Sequence, residues 1–134
     1  MITQTATTSF KLELPQAIHD FATDELRLAL YTADATLNAN TTTYTTGGEV
    51  VAAGYTAGGA PLTATLTSDG QGLIDFADVT WTAALTARGA LIYNASKANR
   101  SVAVLNFGND KTSTTAFTVT FPPAVVDTAV IRIL

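Results

Sequence analysis

Apolar residues along the chain first recur with a helical period and then switch to a period of two. Phe10, Leu14, Ala17, Ile18 and Phe21 fall within about a 100° arc at 100° per residue, a coherent core-facing stripe. Ser9 is placed to cap a helix starting near Phe10. Pro15 fits poorly inside that helix, because it lacks an N–H and crowds the preceding turn. The helix is therefore expected to kink there, or to begin properly at Pro15. Its opposite face carries Leu12 and His19, so His19 is expected in solvent or at a contact.

From Leu26 the pattern is that of strands. Leu26, Leu28 and Leu30 alternate with Arg27, Ala29 and Tyr31, which predicts a half-buried strand. Residues 34–46 form a long polar excursion, an edge loop or an extended arm. Glu49 to Ala53 is a short strand candidate. Leu62, Ala64 and Leu66 alternate, Asp69-Gly70 supplies a hairpin turn, and Leu73 to Phe76 returns. Ile74 and Phe76 share one parity and Val79 and Trp81 the other, so a bulge or bend is expected near Ala77-Asp78. Leu91 and Tyr93 lie on a strand after Gly89, and residues 94–100 make a turn. Ser101 to Phe107 is a near-continuous apolar strand, expected to be central, and Gly108 to Ser113 a loop. Phe117, Val119 and Phe121 form a strand ended by Pro122-Pro123, and Ala129, Ile131 and Ile133 form the last. About eight strands, with turn signals every eight to twelve residues, predict a mainly β fold. The expected form is an antiparallel β-sandwich, Ig-like or jelly-roll-like, with one N-terminal α-helix. Residues 1–134 are read as a single domain, with 1–8 (MITQTATT) as a candidate extended N-terminal arm.

Composition changes this picture in one respect. Charged residues make up 13% of the chain, against about 25% in a typical soluble domain. A folded monomer of this size exposes roughly 6,700 Å², so its charges are spread about half as densely as usual. That sparse surface suits burial against other subunits. The 25 threonines also take over part of the polar role. Cysteine is absent, which excludes disulfides and thiolate metal sites, and a single histidine excludes a His-rich metal centre. The net charge of −4, with seven basic residues scattered singly, argues against a nucleic-acid partner. The first residues lack a basic and an apolar signal region, and no apolar run nears the roughly 18 residues of a bilayer span. Synthesis in the cytoplasm, with no membrane partner, is expected.

Candidate chemistry is thin. Asp75 and Asp78 have no partners at useful spacing and are read as strand-end residues facing water. Asp34, Asn38 and Asn40 lack the remaining features of a Ca²⁺ loop and are read as turn formers. No nucleophile motif, phosphate loop or dinucleotide-type glycine pattern occurs, and no Ser or Cys motif accompanies His19. No catalytic, cofactor-binding or metal-binding residue is expected, and the chain is not expected to be an enzyme. Lys97, Asn99 and Arg100 form a small basic turn, joined by Arg88 if the two strands pair. Together with Leu12 and His19 these are the candidate partner contacts. The three Asn-X-Ser/Thr matches are chance in a chain rich in threonine. Trp81, with Phe76 and Tyr93, is either a sugar-stacking platform or, as favoured, part of an ordinary core.

Four blocks, SFKLELPQAIHDF, ELRLALYTADATL, DFADVTWTAALTARGALIYN and SKANRSVAVLNFGNDKTST, resemble a group of small virion proteins of tailed bacteriophages. They account for 65 of the 134 residues. Pro15 departs from the helix-friendly residue expected at its place. The resemblance implies a structural subunit of the capsid-decoration, or cement, type. Its implied partners are the major capsid protein and copies of itself, and its implied location is the capsid surface of the virion. A tail, neck or fibre-anchoring component and a host-glycan-binding module are the alternatives.

Overall fold

The computed structural model describes residues 1–68, 72–121 and 131–133. The fold is mainly β, with antiparallel sheets and one short N-terminal helix. A two-residue strand, β1 (Thr5–Ala6), leads into α1 (Thr8–Glu13). There follow β2 (Leu26–Tyr31), β3 (Ala60–Leu62), β4 (Ala64–Ser68), β5 (Gly72–Phe76) and β6 (Val79–Trp81). The chain ends with β7 (Thr86–Asn94), β8 (Arg100–Thr112), β9 (Phe117–Val119) and β10 (Ile131–Ile133). A five-stranded sheet has the order β1-β8-β7-β2-β3, a three-stranded sheet β10-β5-β4, and β6 pairs with β9.

The helix differs from its sequence expectation at both ends. Thr7 is its cap, with Oγ1 accepting the Phe10 N–H at 3.4 Å. Ser9 lies inside the first turn. The helix ends at Glu13 because Pro15 cannot continue it. Ala17, with φ at +56°, then reverses the chain. The apolar stripe drawn through Ala17 and Ile18 therefore does not exist as a helix face, although Phe10 and Phe21 are both buried and stack 5.7 Å apart.

The five-stranded sheet is covered on both faces, so β2 is not half-buried as its alternation suggested. Leu26, Leu28 and Leu30 enter the main core with Ile92 and Val102, and with Ile74, Phe76, Val79, Trp81 and Phe117 from the smaller sheets. Ala29 and Tyr31 face a second cluster with Ile2, Ala35, Leu37, Leu91, Tyr93 and Val104. The cover on that second face comes from two segments expected outside the core. The first is the candidate arm. The Ile2 side chain is buried, Ile2 bridges Leu37, and Thr5 and Ala6 pair with Val104 and Ala103. The second is the polar excursion. Thr43 bridges Arg100, and the Tyr44 ring stacks on Tyr93 at 4.9 Å. Both segments lie against their own chain because β7 and β8 present apolar side chains on both faces, and a bare second face would expose them.

Other expectations divide. Residues 95–99 form the expected turn. Ser68 and Gly72 are paired across the β4–β5 hairpin, whose predicted Asp69-Gly70 turn lies outside the described residues, as does the Pro122-Pro123 strand end. The parity switch at Ala77-Asp78 is a passage from the three-stranded sheet into the β6–β9 pair. Glu49 to Ala53 is not a strand; Glu49 alone bridges Tyr31. The expected loop at 108–113 is replaced by a continuation of β8 with a wide irregularity, where Phe107 to Asp110 stand opposite Arg88 alone. Gly108, at φ +88°, makes that excursion.

Candidate functional site

The end of the five-stranded sheet nearest α1 gathers most of the residues singled out in the sequence. Asn94, the last residue of β7, points toward the main core beside Leu26 and is fully buried. Its side-chain Oδ1 accepts the Ser96 N–H at 3.1 Å, which fixes the amide orientation. The amide nitrogen then donates to Asp24 Oδ2 at 2.8 Å and to His19 Nδ1 at 3.0 Å. An imidazole that accepts at Nδ1 carries its proton at Nε2. That Nε2–H donates to Glu13 Oε1 at 2.7 Å. Arg100 closes one end of the chain of contacts on Glu13 Oε2 at 2.9 Å. Lys97 closes the other on both Asp24 oxygens, at 2.7 and 2.9 Å.

His19 is therefore a correction. Its side chain has no exposed surface, and it packs against Phe10 and Phe21 at ring distances of 5.0 and 6.1 Å. Applying helical geometry beyond Pro15 placed it on an outer face; the reversal at Ala17 turns it inward instead. Arg88 is a second correction. It sits at the far end of β7 and pairs with Asp110 at 2.9 Å, so it does not join a basic patch with Lys97 and Arg100. Those two cations are themselves held by buried carboxylates. Asn99 is exposed in the turn with φ at +58°, and its carbonyl accepts the Tyr44 N–H. Leu12 is exposed on α1, as expected.

The electrostatics follow the geometry. Burial pushes the Asp24 carboxyl upward, but hydrogen bonds from Lys97, Asn94 and the Asp20 N–H, with the charge of Lys97, outweigh it and bring its pKa down to about 2. The network is satisfied throughout, and both nitrogens of the imidazole are engaged. In this arrangement it fixes α1, the 20–24 turn and the 94–100 turn to the sheet, and presents no open nitrogen to a ligand.

A further buried carboxylate went unnoticed in the sequence. Glu49 accepts from Tyr44 Oη at 2.6 Å, Tyr55 Oη at 2.7 Å and the Gly58 N–H at 2.9 Å. The Leu30 N–H donates to Tyr55 Oη, and Tyr93 Oη donates to the Gly58 carbonyl. Burial, the neighbouring carboxylate and the hydrogen bonds to it raise Tyr44 and Tyr55 well above the usual phenol range; burial also raises Tyr31 and Tyr93. No local pattern announced this cluster, since no spacing rule marks Tyr44, Glu49, Tyr55 and Gly58 as one site.

The remaining candidates dissolve into structure. Asp78 accepts the Phe121 N–H, and Asn38 accepts the Asn40 N–H as a turn former. Trp81 is buried against Tyr55, while Phe76 packs on Phe121 and Tyr93 faces the opposite cluster, so the three make no surface platform. An open groove of about 580 Å³ runs along residues 111–120, lined by threonines with Phe107, Phe117 and Lys111. Among the described residues no three His, Asp or Glu side chains are grouped to hold a metal, and no helix is long and apolar enough to cross a membrane.

Fold and site together define a mainly β chain whose five-stranded sheet is covered on both faces and in which, among the described residues, the buried carboxylates are paired or hydrogen-bonded within the chain. No protein-family model, curated protein or solved structure matches it.

Proposed function

We propose that this chain is a structural subunit of a tailed-bacteriophage virion, of the capsid-decoration type, binding the major capsid protein lattice beside copies of itself. On this reading it carries out no catalysis, takes no cofactor, and sits on the capsid surface after synthesis in the host bacterium. The four sequence blocks, 65 of the 134 residues, carry the reading. The geometry supports it in one respect above others. Arg27, Arg88, Lys97 and Arg100, four of the seven basic residues, are held in ion pairs within the chain. Among the described residues, what is left outside is a surface rich in threonine and poor in free charge, suited to recognition by shape. The same reading takes the packing of the five-stranded sheet against the smaller sheets as a β-sandwich.

Binding only to the assembled lattice would stabilise a capsid by mass action. The test is to add purified protein to expanded empty capsids of the encoding phage. A raised capsid melting temperature, with hundreds of copies per virion, is the expected result. Six or twelve copies would replace decoration with a tail or neck role. Absence from mature particles would end the virion reading altogether.

A further inference from the structure

The outer edge of β4 differs from every other sheet edge among the described residues. β1 has two residues, and β6, β9 and β10 have three each. β3 is interrupted by the exposed Pro61, which has no N–H to offer a further strand. The outer part of β8 is bent by its irregularity and carries the exposed Asp110 and Lys111. These are the devices that keep strand edges from pairing with other chains. β4 has none of them: it runs for five residues, ATLTS, with no proline and no charge, and among the described residues it pairs on one side only, with β5.

Its side chains point the same way. Leu66 lies directly opposite Ile74, and Ala64 opposite Phe76, so all four share one face of the sheet. Ile74 and Phe76 are buried in the main core, but Leu66 is 56% exposed. The apolar face of this sheet therefore runs out to its edge and ends uncovered there.

We propose that two copies of this chain pair their β4 strands antiparallel about a two-fold axis at Leu66. The strand fits itself. With Leu66 on the axis, each copy sets it directly across from its counterpart, and the two side chains cover one another. β4 brings no charge to the contact. The nearest charged residue on the neighbouring strand is Asp75, opposite Thr65. The two copies of Asp75 would be separated by about three strand spacings, roughly 14 Å, which is beyond the Debye length of about 8–10 Å at ordinary salt. A two-fold contact also consumes the edge in both copies, so it closes and does not propagate from β4. The contact belongs to the chain itself and stands whether or not the virion reading does.

The test uses the full purified chain alone, so its outcome is independent of any capsid. Sedimentation over a wide concentration range is expected to show a monomer–dimer equilibrium. Leu66→Lys, at an exposed position, brings two like charges together at the axis and should raise the dissociation constant at least tenfold without changing the far-UV spectrum. Leu66→Cys supplies the one thiol in a chain that has no cysteine. Directly opposed residues lie within disulfide reach, so mild oxidation should link this variant into dimers much faster than Val51→Cys, at a position 97% exposed. A monomer at all concentrations, or equal cross-linking of the two cysteine variants, would overturn the proposal. So would a dimer insensitive to Leu66→Lys.

Discussion

Asn94 donates an N–H of its side-chain amide to His19 Nδ1, 3.0 Å away, and thereby decides which nitrogen of the imidazole carries the proton. The Asn94→Ala variant would leave His19 Nδ1, Asp24 Oδ2 and the Ser96 N–H each short of a buried partner. The expected loss of stability is about 2–3 kcal/mol by urea denaturation. Nitrogen chemical shifts of His19, the sole histidine, should show the Nε2–H tautomer in the parent protein. A ring protonated at Nδ1 alone would contradict this arrangement.

Asp24 sets the acid limb of stability. Its folded-state pKa is about 2, below the unfolded value of 3.8. A carboxyl depressed in this way contributes stability that is present above the unfolded value and is lost as pH falls through the folded one. Stability should therefore decline between about pH 4 and pH 2. The Asp24→Asn variant should be less stable at neutral pH and show a flatter acid limb, measured by thermal melts across that range.

The four tyrosines give the opposite limb. All are raised by burial above the ordinary phenol value of 10.0. A phenol raised on folding favours the native state below its unfolded pKa, and that contribution falls away as pH rises above it. Absorbance at the phenolate band should stay low beyond pH 10 in the folded protein and then rise together with loss of the native circular dichroism. Free titration of two or more tyrosines near pH 10 in the folded protein would show the Glu49 cluster to be open.

Ile2 seats the first residues over Gly89. A Cβ added at Gly89 would lie 2.9 Å from two carbons of Ile2 and 2.5 Å from the Leu105 carbonyl. The Ile2→Ala variant should cost about 2–4 kcal/mol, as for other buried large-to-small changes. The Gly89→Ala variant should expose the first residues to proteolysis. The double variant should lose less than the sum of the two, because both act on one contact.

Much of the strand content was legible, because alternation and turn residues are local. The β4–β5 hairpin, the parity switch at Ala77-Asp78 and the turn at 95–99 all follow from residues close in sequence. The candidate contacts were less legible. Lys97 and Arg100 read as a basic turn because their carboxylates, Asp24 and Glu13, are some 70 to 90 residues away in the chain. Trp81 was favoured as a core residue, and it is buried with the Tyr55 ring 5.9 Å away.

By itself the sequence determined a mainly β chain with one helix near its start, since hydrophobic period and turn chemistry act over a few residues. Only the tertiary structure decided that the first residues and the threonine-rich loop lie on the sheet, and that His19 lies inside. The reason is physical. An apolar strand cannot say how many of its faces will be covered, and a polar side chain cannot say which distant partner will satisfy it. Both depend on segments that meet only when the whole chain has folded.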